Sequence, residues 1–348
     1  MTTSVDLQFP VNQLPVTELP VTGQPATGNR QLAVKTAIAG ATGYSGAELS
    51  KILERHPHAE VVAEYSSESF SLDALKASGA EVVFLATPNE VSAEIAPKVL
   101  DLGIKVVDLS GAFRLREAGL YPKWYGFEHE RPELLGEAAY GLTEWCNGEL
   151  KKARLVANPG CYPTSIILAL RPLTYLIDRE QPVIIDAKSG VSGAGKKSDL
   201  AYSFAELSGN FKAYGVGSHR HEPEIRQGLH LGDKTTLVFV PHLLPTVRGI
   251  LSTIHVGFTH AVTDEEIAQI FAKTYANAPF VRIRKAGQLP EMKDVVNTPR
   301  CDIGWKLMQG GRRAVIVSVI DNLLKGAASQ AVQNFNRMFG FPETEGLQ

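Results

Sequence analysis

The sequence predicts an α/β protein that combines a doubly wound parallel sheet with a second, α+β domain built on a largely antiparallel or mixed sheet. Apolar strands alternate with helical segments from about residue 34 to residue 109, which is typical of a parallel sheet with helices on both faces. After the segment Asn158-Pro159-Gly160-Cys161 the pattern changes to β-rich runs. These two sequence patterns predict two domains of different architecture.

The composition is that of an ordinary globular chain of 348 residues. Its 35 lysines and arginines against 37 aspartates and glutamates give a formal net charge of -2, so neither a nucleic-acid nor a membrane partner is expected. No apolar run approaches the roughly 18 residues of a membrane span. The three cysteines lack CxxC spacing and the histidines are scattered, which predicts no metal site and a cytoplasmic protein.

The first 31 residues stand apart from this pattern. Prolines recur every fifth residue at Pro10, Pro15, Pro20 and Pro25, and the segment carries almost no charge. It lacks the basic start and continuous apolar core of a secretory signal. Residues 1–31 are therefore predicted to be a disordered tail outside the fold.

The first domain is predicted to begin with a strand over Val34 to Ala39, a glycine turn, and a helix with Leu49, Ile52 and Leu53 on one face. The pattern then repeats in the same order. The predicted elements are strands at Glu60 to Tyr65, Glu81 to Thr87 and Lys105 to Leu109, and a helix at Asn89 to Asp101.

The second domain is predicted to start with an apolar helix over Thr164 to Leu176. A final amphipathic helix, Ala327 to Met338, is placed to return to the first domain. Between these helices the predicted strands are Val183 to Ala187, Thr235 to Pro241, Ile250 to Phe258 and Ala314 to Ile320.

The glycine turn has the spacing GxxGxxG, with Gly40, Gly43 and Gly46, and differs from GxGxxG. Such glycines serve either close packing or the binding of a pyrophosphate at the helix start, and the flanking strand and helix favour binding. The second strand ends in Tyr65-Ser66-Ser67 without a clearly placed carboxylate for the ribose of NAD. Hydroxyls there accept a 2′-phosphate, so NADP is favoured over NAD.

Cys161 follows Pro159-Gly160 and precedes a helical run. A thiol at a helix N-terminus has a lowered pKa and becomes a nucleophile near neutrality, whereas the alternative is a buried structural cysteine. Cys146 and Cys301 lack this setting and are interpreted as structural.

A nucleophilic cysteine needs an acid and a base, and the segment from Ser218 to Glu224 offers both. His219 and His221 lie two residues apart in a segment predicted to be extended or turning, so only one is expected to face Cys161. We predict that His221 carries the proton, with Glu224 bonded to its second nitrogen. The alternative is a polar surface loop.

Two further segments suit an anion. The loop Ser189 to Lys197, which includes Ser192 and Gly193, can present N–H groups to a phosphate or a nicotinamide. Arg114 is positioned either to clamp a phosphate or carboxylate through two hydrogen bonds or to lie in solvent.

Together these motifs resemble the N-acetyl-γ-glutamyl-phosphate reductase family of the aspartate-semialdehyde dehydrogenase superfamily. The resemblance spans about residues 34 to 340. The motifs that carry it are GATGYSG at 40–46, DLSGAFRL at 108–115, NPGCYPT at 158–164, SGVSGAG at 189–195, HRHEPEI at 219–225, VRGIL at 247–251 and DNLLKG at 321–326.

The resemblance implies NADPH-dependent reduction of N-acetyl-γ-glutamyl phosphate to the 5-semialdehyde and phosphate through a cysteine thioester, in arginine biosynthesis. It implies a Rossmann domain of residues 32–160 plus 322–348, which binds NADP. It also implies a catalytic and dimerisation domain of α+β type with a mixed sheet, residues 161–321. A homodimer or homotetramer is expected.

The resemblance also assigns roles. Cys161, His221 and Glu224 are expected to be catalytic. The expected substrate-binding residues are Arg114, Ser192, Tyr214 and His219, and Asn322 is expected to hold the nicotinamide carboxamide. The remaining expected cofactor residues are Gly40, Thr42, Gly43, Tyr44, Ser45, Gly46, Ser66, Pro88, Ser192 and Gly193.

Three alternatives remain open. An aspartate-semialdehyde dehydrogenase usually carries a GHS element after a Val-Pro strand, where this chain has Val247-Arg248-Gly249. An N-acetylaminoadipyl-phosphate reductase differs by one methylene, worth only about 1 to 3 kcal/mol of discrimination. A catalytically silent NADP-binding regulator is the alternative outside enzymes, and the intact thiol and histidine motifs argue against it.

Overall fold

Two β-sheets form the framework of this computed structural model, which describes residues 33–66, 68–146, 148–196 and 204–348. The predicted tail, residues 1–31, lies outside the described residues. Each sheet carries its own buried core, and helices of both parts meet around a shared site.

The first sheet is six-stranded and entirely parallel, with the order β2-β1-β3-β4-β6-β5. Its strands are β1 Val34–Ala39, β2 Ala59–Tyr65, β3 Val82–Leu85, β4 Lys105–Asp108, β5 Ala139–Tyr140 and β6 Leu155–Ala157. The helices of this part are α1 Tyr44–Leu53, α2 Leu72–Ser78, α3 Asn89–Asp101, α4 Tyr121–Tyr125 and α5 Pro132–Glu137.

Side-chain alternation along the strands explains why this sheet is covered on both faces. Ala37 and Val83 point into one core together with Val99 of α3, whereas Ile38 and Phe84 point into the other. The predicted strand at 34–39 and the predicted helix at 89–101 are confirmed residue by residue.

The second sheet is seven-stranded and mixed, with the order β11-β12-β13-β10-β7-β9-β8, which confirms the predicted mixed sheet. Its strands are β7 Val183–Gly190, β8 Lys212–Ala213, β9 Leu237–Leu244, β10 Ile250–Gly257, β11 Val281–Ile283, β12 Cys301–Met308 and β13 Arg313–Ile320. The remaining helices are α6 Cys161–Leu170, α7 Phe204–Leu207, α8 His221–Gly228, α9 Asp264–Thr274 and α10 Ala328–Phe339.

One face of this sheet carries the core, where Ile185, Ile254 and Ile316 pack with apolar residues of α6, α8 and α9. The last helix, α10, returns to the first sheet, where its Val332 and Phe335 share a core with residues of α1. No helix in the described part of the chain is long and apolar enough to cross a membrane.

Two helices of the second part differ from the prediction. The helix expected over Thr164 to Leu176 begins at Cys161 and ends at Leu170, because Pro172 cannot donate the next hydrogen bond. The segment expected to be extended around His221 is instead the first turn of α8, with Pro223 and two acidic residues in that turn. Proline and carboxylates both suit the first turn of a helix.

Candidate active site

A glycine turn joins β1 to α1 at the carboxyl end of the parallel sheet. Gly40 has φ +87°, and a Cβ there would lie 2.4 Å from the carbonyl oxygen of Ala86 on the neighbouring strand connection. A Cβ on Gly46 would lie 2.2 Å from the carbonyl oxygen of Gly40. Only glycine therefore fits at either position, and the turn stays open above the start of α1.

The first turn of α1 has backbone N–H groups that can donate hydrogen bonds to a ligand. Gly43 is its N-cap and makes no side-chain hydrogen bond to the helix. The N–H groups of Tyr44, Ser45 and Gly46 are those that an α-helix leaves without intrahelical partners. Open N–H groups at a helix start fit the pyrophosphate of a dinucleotide.

A cleft of about 350 Å³, called here the nucleotide cleft, runs from this turn to Cys161. Eight expected cofactor residues line it, namely Gly43, Tyr44, Ser45, Gly46, Pro88, Ser192, Gly193 and Asn322. Gly40, Thr42 and Ser66 are outside that lining. Gly40 shapes the turn, and Ser66 accepts hydrogen bonds from the N–H groups of Glu68 and Ser69 at the end of β2.

Asn322 ties together the two loops at the inner end of the nucleotide cleft. Its Oδ1 accepts from the N–H of Gly249 at 2.8 Å, and its Nδ2 donates to Oγ of Ser192 at 2.9 Å. One amide hydrogen remains for a ligand, since a carboxamide nitrogen carries two. The geometry thus orients this side chain before anything binds.

A second cleft of about 490 Å³, called here the substrate cleft, opens on the other side of Cys161. It shares Cys161, Gly193, Arg220 and His221 with the nucleotide cleft. Its remaining lining includes Trp124, Tyr162, Ser189, Lys212, Tyr214, Ser218 and His219. Among the described residues, two cations and two imidazoles line this cleft and no carboxylate does, which suits an anionic substrate.

Cys161 is the first residue of α6, preceded by the N-cap Gly160, and its side chain is half-buried between the two clefts. Burial raises the pKa of this thiol, and the charges of Arg114 and Arg220 and the N–H of Tyr162 oppose that rise without cancelling it. The expected lowered pKa is therefore wrong for the protein without ligands. The thiol is protonated at neutral pH and needs a base to become a nucleophile.

The two histidines lie together rather than on opposite sides. The rings of His219 and His221 are 4.8 Å apart between centroids, and both line the substrate cleft with Cys161. The expected opposite orientation is wrong because His221 begins a helix, so the alternation of an extended chain does not apply.

Both imidazoles are neutral, and their hydrogen bonds distinguish them. Burial, with Arg220 nearby, lowers the pKa of His219 to about 4, and burial also lowers the pKa of His221 well below its usual value. Nδ1 of His219 accepts from the N–H of His221 at 3.1 Å, so its proton sits on Nε2. Nε2 of His221 lies over Gly160, where a Cβ would be 2.6 Å away.

Glu224 does not bond His221, which corrects the predicted contact. Its Oε1 accepts from the N–H of Gly160 and from the hydroxyl of Tyr140, both at 2.8 Å. Its Oε2 faces Nη1 of Arg114 at 3.5 Å, and Nδ1 of His221 has no hydrogen-bond partner within the part of the chain that the structure describes. One helical turn separates His221 from Glu224, and the carboxylate points to the loop before Cys161.

Arg114 is neither solvated nor free to clamp an anion through two hydrogen bonds. Its Nε donates to the carbonyl oxygen of Asn158 at 2.8 Å, and its Nη2 donates to that of Leu109 at 2.7 Å. Nη1 pairs with Glu224. The predicted bidentate clamp is wrong in this arrangement, although Arg114 still lines the nucleotide cleft.

Sequence reasoning missed Tyr140, Lys212 and Arg220. Arg220 lies between the two histidines of the HRHEPEI motif, and this position was a signal in the sequence. Lys212 and Tyr140 are separated from every motif in the sequence and had no such signal. Cys146 and Cys301 are buried, and burial raises the pKa of each to about 12. Within the described ranges, no group of three potential metal ligands comes together.

Family models match both parts of the chain. The model described as "Semialdehyde dehydrogenase, NAD binding domain" matches residues 35–153, and "Semialdehyde dehydrogenase, dimerisation domain" matches residues 161–322. These matches confirm the expected nicotinamide-dependent oxidoreductase fold. A structure of aspartate semialdehyde dehydrogenase II from Vibrio cholerae has a TM-score of 0.66 at 16% identity, covering 88% of this chain and 98% of that chain.

Curated relatives are much more similar in sequence. The N-acetyl-gamma-glutamyl-phosphate reductase of Escherichia coli K12 is 46% identical over 342 residues, covering 90% of this chain and 99% of the relative. That of Geobacillus kaustophilus is 44% identical over 338 residues, covering 90% and 98%. Identity at this level over nearly the whole relative confirms the resemblance carried by the motifs, and the chain belongs to the N-acetyl-gamma-glutamyl-phosphate reductase family.

Proposed function

We propose that this protein reduces N-acetyl-γ-glutamyl phosphate to the 5-semialdehyde and phosphate in arginine biosynthesis. One observation carries the proposal: the thiol of Cys161 begins a helix where the nucleotide cleft and the substrate cleft meet. A group in that position can react with a substrate on one side and present it to a cofactor on the other.

In the first step, Nε2 of His221 takes the thiol proton as the sulfur attacks the acyl carbon. Because the pKa of the thiol is raised, a neutral base beside it is required, and His221 is neutral. The N–H groups at the start of α6 face the oxygen that becomes negative. Phosphate leaves with the proton from His221, and Cys161 carries a thioester.

A nicotinamide bound in the nucleotide cleft would supply hydride to that thioester. Asn322 and the Ser192 loop would orient its amide end, and the glycine turn would hold the pyrophosphate. After the phosphate has left, His221 takes up a proton from water and donates it to the oxygen of the resulting thiohemiacetal. When the carbon–sulfur bond breaks, the oxygen loses that proton, the aldehyde leaves, and the thiol is restored.

We assign the anionic ends of the substrate to the cations of the substrate cleft. Arg220 lines both clefts beside Cys161 and suits the departing phosphate, whereas Lys212 lines only the substrate cleft and suits the distant carboxylate. His219 holds its proton on Nε2 and so acts as a hydrogen-bond donor to the substrate, with Tyr214 beside it at 5.5 Å between ring centroids.

NADP is the proposed cofactor. The second strand ends at Tyr65, next to the glycine turn, since the carbonyl oxygen of Tyr65 accepts from the N–H groups of Gly40 and Ala41, and Ser66 follows directly. The carboxylate of Glu64 is engaged by Ser50 on α1. The Ser66 hydroxyl, rather than a carboxylate, is therefore the group that we propose to meet the ribose. Comparing kcat/KM for the two nicotinamides, in the wild type and in Ser66→Asp, tests this preference.

We propose a homodimer, with a homotetramer as the larger alternative, formed through the open face of the seven-stranded sheet. Ile184 of β7 and Val238 of β9 are paired neighbours there and more than a third exposed. The dimerisation-domain match supports a second copy as the occupant. Equilibrium sedimentation of Ile184→Asp should show dissociation.

The proposed division places residues 32–160 and 322–348 with the nucleotide and residues 161–321 with catalysis and assembly. The packing of α10 against α1 supports joining the C-terminal residues to the first part. The free state of Cys146, Cys161 and Cys301 supports a cytoplasmic location.

The decisive experiment is an assay in the reverse direction with phosphate, NADP or NAD, and three semialdehydes: N-acetylglutamate, N-acetylaminoadipate and aspartate. The proposal predicts the highest kcat/KM for the N-acetylglutamate compound. A higher value for either of the others would assign the enzyme to that substrate, and absence of turnover with all three would favour a silent nucleotide-binding protein.

A further inference from the structure

An ion pair holds the backbone just before the nucleophile from both sides. Arg114 donates to the carbonyl oxygen of Asn158 at 2.8 Å, and Glu224 accepts from the N–H of Gly160 at 2.8 Å. The two charged groups face each other at 3.5 Å, and both are buried. The position of Gly160, and with it that of Cys161, therefore depends on how the Glu224 carboxylate is turned.

Tyr140 fixes that rotation. Its hydroxyl donates to Oε1 of Glu224 at 2.8 Å, the oxygen that also accepts from the N–H of Gly160, whereas Oε2 has no hydrogen bond to any described residue. Tyr140 ends β5 of the six-stranded sheet, and Glu224 belongs to α8. Without the phenol, the ion pair with Arg114 would draw the carboxylate away from the N–H of Gly160.

We propose that Tyr140 is a positioning residue for Cys161, acting through the Glu224 carboxylate on the backbone that begins the nucleophile helix. The proposal deepens the function proposed above and rests on Cys161 being the nucleophile. Tyr140 lines neither cleft, so it contacts neither bound substrate nor cofactor. Its loss should change the reactivity of the thiol and leave binding alone.

The test compares Tyr140→Phe with a matched control, Tyr275→Phe. The hydroxyl of Tyr275 is also buried and also donates to this helix, but to the carbonyl oxygen of Leu168 near its far end. Two readouts are measured: the rate of alkylation of Cys161 by iodoacetamide across pH, followed by peptide mass spectrometry, and the separate values of kcat and KM.

We expect Tyr140→Phe to lower both the alkylation rate and kcat by about five- to tenfold, the scale of one lost hydrogen bond, with KM unchanged. Tyr275→Phe should leave all three near the wild-type values even where its melting temperature falls. Equal behaviour of the two variants would overturn the proposal, because a general loss of packing would then explain both.

A double-mutant cycle supplies the second test. In the Glu224→Gln background, Tyr140→Phe should add little further loss of alkylation rate, since the two side chains act as one unit. Losses that multiply independently, or a Glu224→Gln variant with unchanged alkylation, would contradict the proposal however well Tyr140→Phe folds. Alkylation needs no substrate, so failure of the proposed reaction would appear only in the turnover assay.

Discussion

Helices α1 and α6 each follow a glycine N-cap, but different groups surround their first turns. Because the N-caps Gly43 and Gly160 have no side chain, neither makes a side-chain capping hydrogen bond to its helix. Backbone atoms surround the first turn of α1, because the carbonyl oxygen of Gly40 lies where a Cβ on Gly46 would be. The surroundings of Gly160 are side chains, namely His221 and Arg114.

In the proposed function, this difference separates a binding site at α1 from a reacting site at α6. The donors at the start of α1 remain open and can meet the charge of a ligand. At α6 the N–H of Gly160 is already taken by Glu224, and the helix carries its own reactive atom in Cys161. On the proposed function, the start of α1, which is bounded by backbone, receives an anion, whereas the start of α6, which is bounded by charged side chains, holds the nucleophile in place.

Replacing the proposed nucleophile should have the strongest effect, and it should affect the reaction at α6 without affecting binding at α1. Cys161→Ser should lower turnover on the order of a thousandfold or more, because a hydroxyl is far less nucleophilic than a thiol, while the site at α1 is untouched. Nicotinamide binding, measured by fluorescence titration, should match the wild type. Activity near the wild-type value would remove Cys161 from the mechanism.

A pair of glycine substitutions tests the comparison directly. Gly160→Ala places a Cβ 2.6 Å from Nε2 of His221 and 2.9 Å from Nη1 of Arg114, so kcat should fall by about a hundredfold while cofactor affinity persists. Gly46→Ala meets backbone at 2.2 Å and should weaken cofactor binding with Cys161 alkylation unchanged. If both variants lose the same property, the two helix starts are not functionally distinct.

The two histidines that lie beside the start of α6, His219 and His221, should differ in which kinetic constant they affect. His221→Asn should depress kcat by about two orders of magnitude with little change in KM, the range for loss of a general acid or base. His219→Asn should mainly raise KM, because Nδ1 of His219 accepts from the N–H of His221 and its Nε2 hydrogen is the donor that we propose for the substrate. The opposite pattern would exchange their roles and spare the overall reaction.

The smallest expected effect is on stability against acid. The folded state holds His219 neutral down to about pH 4, whereas the unfolded chain takes up that proton near pH 6.5. The free energy of unfolding therefore falls as pH drops through this window, by about 1 to 3 kcal/mol for this group.

Urea titrations at pH 7.5 and pH 4.5 measure the loss. His219→Asn should show a smaller loss than the wild type, whereas His255→Asn, at an exposed position of β10, should behave like the wild type. An undiminished loss in His219→Asn would mean that this imidazole is not buried as described.

Local patterns predicted the backbone of α1 well. Leu49, Ile52 and Leu53 repeat at helical spacing and are buried, and Gly40 and Gly46 mark a turn that only glycine can make. Strand β12 escaped prediction because Asp302 and Lys306 interrupt its apolar run, although Asp302 is buried against two arginines that are distant in sequence.

The side-chain arrangement around the start of α6 was harder to predict from the sequence. Helix α8 was missed although Pro223 and its acidic neighbours are typical of a helix start. The partner of Glu224 could not be predicted, because Tyr140 and Gly160 come from other parts of the chain. The raised pKa of Cys161 has the same origin, since burial is a property of the assembled fold.

Trapping the covalent intermediate tests the central claim most directly. The enzyme is mixed with N-acetyl-γ-glutamyl phosphate without nicotinamide, quenched in acid, and digested for mass spectrometry. The account predicts an N-acetylglutamyl adduct confined to the peptide that contains Cys161 and absent from Cys161→Ser. An adduct on another residue, or its absence from an enzyme that turns over the same substrate, would contradict it.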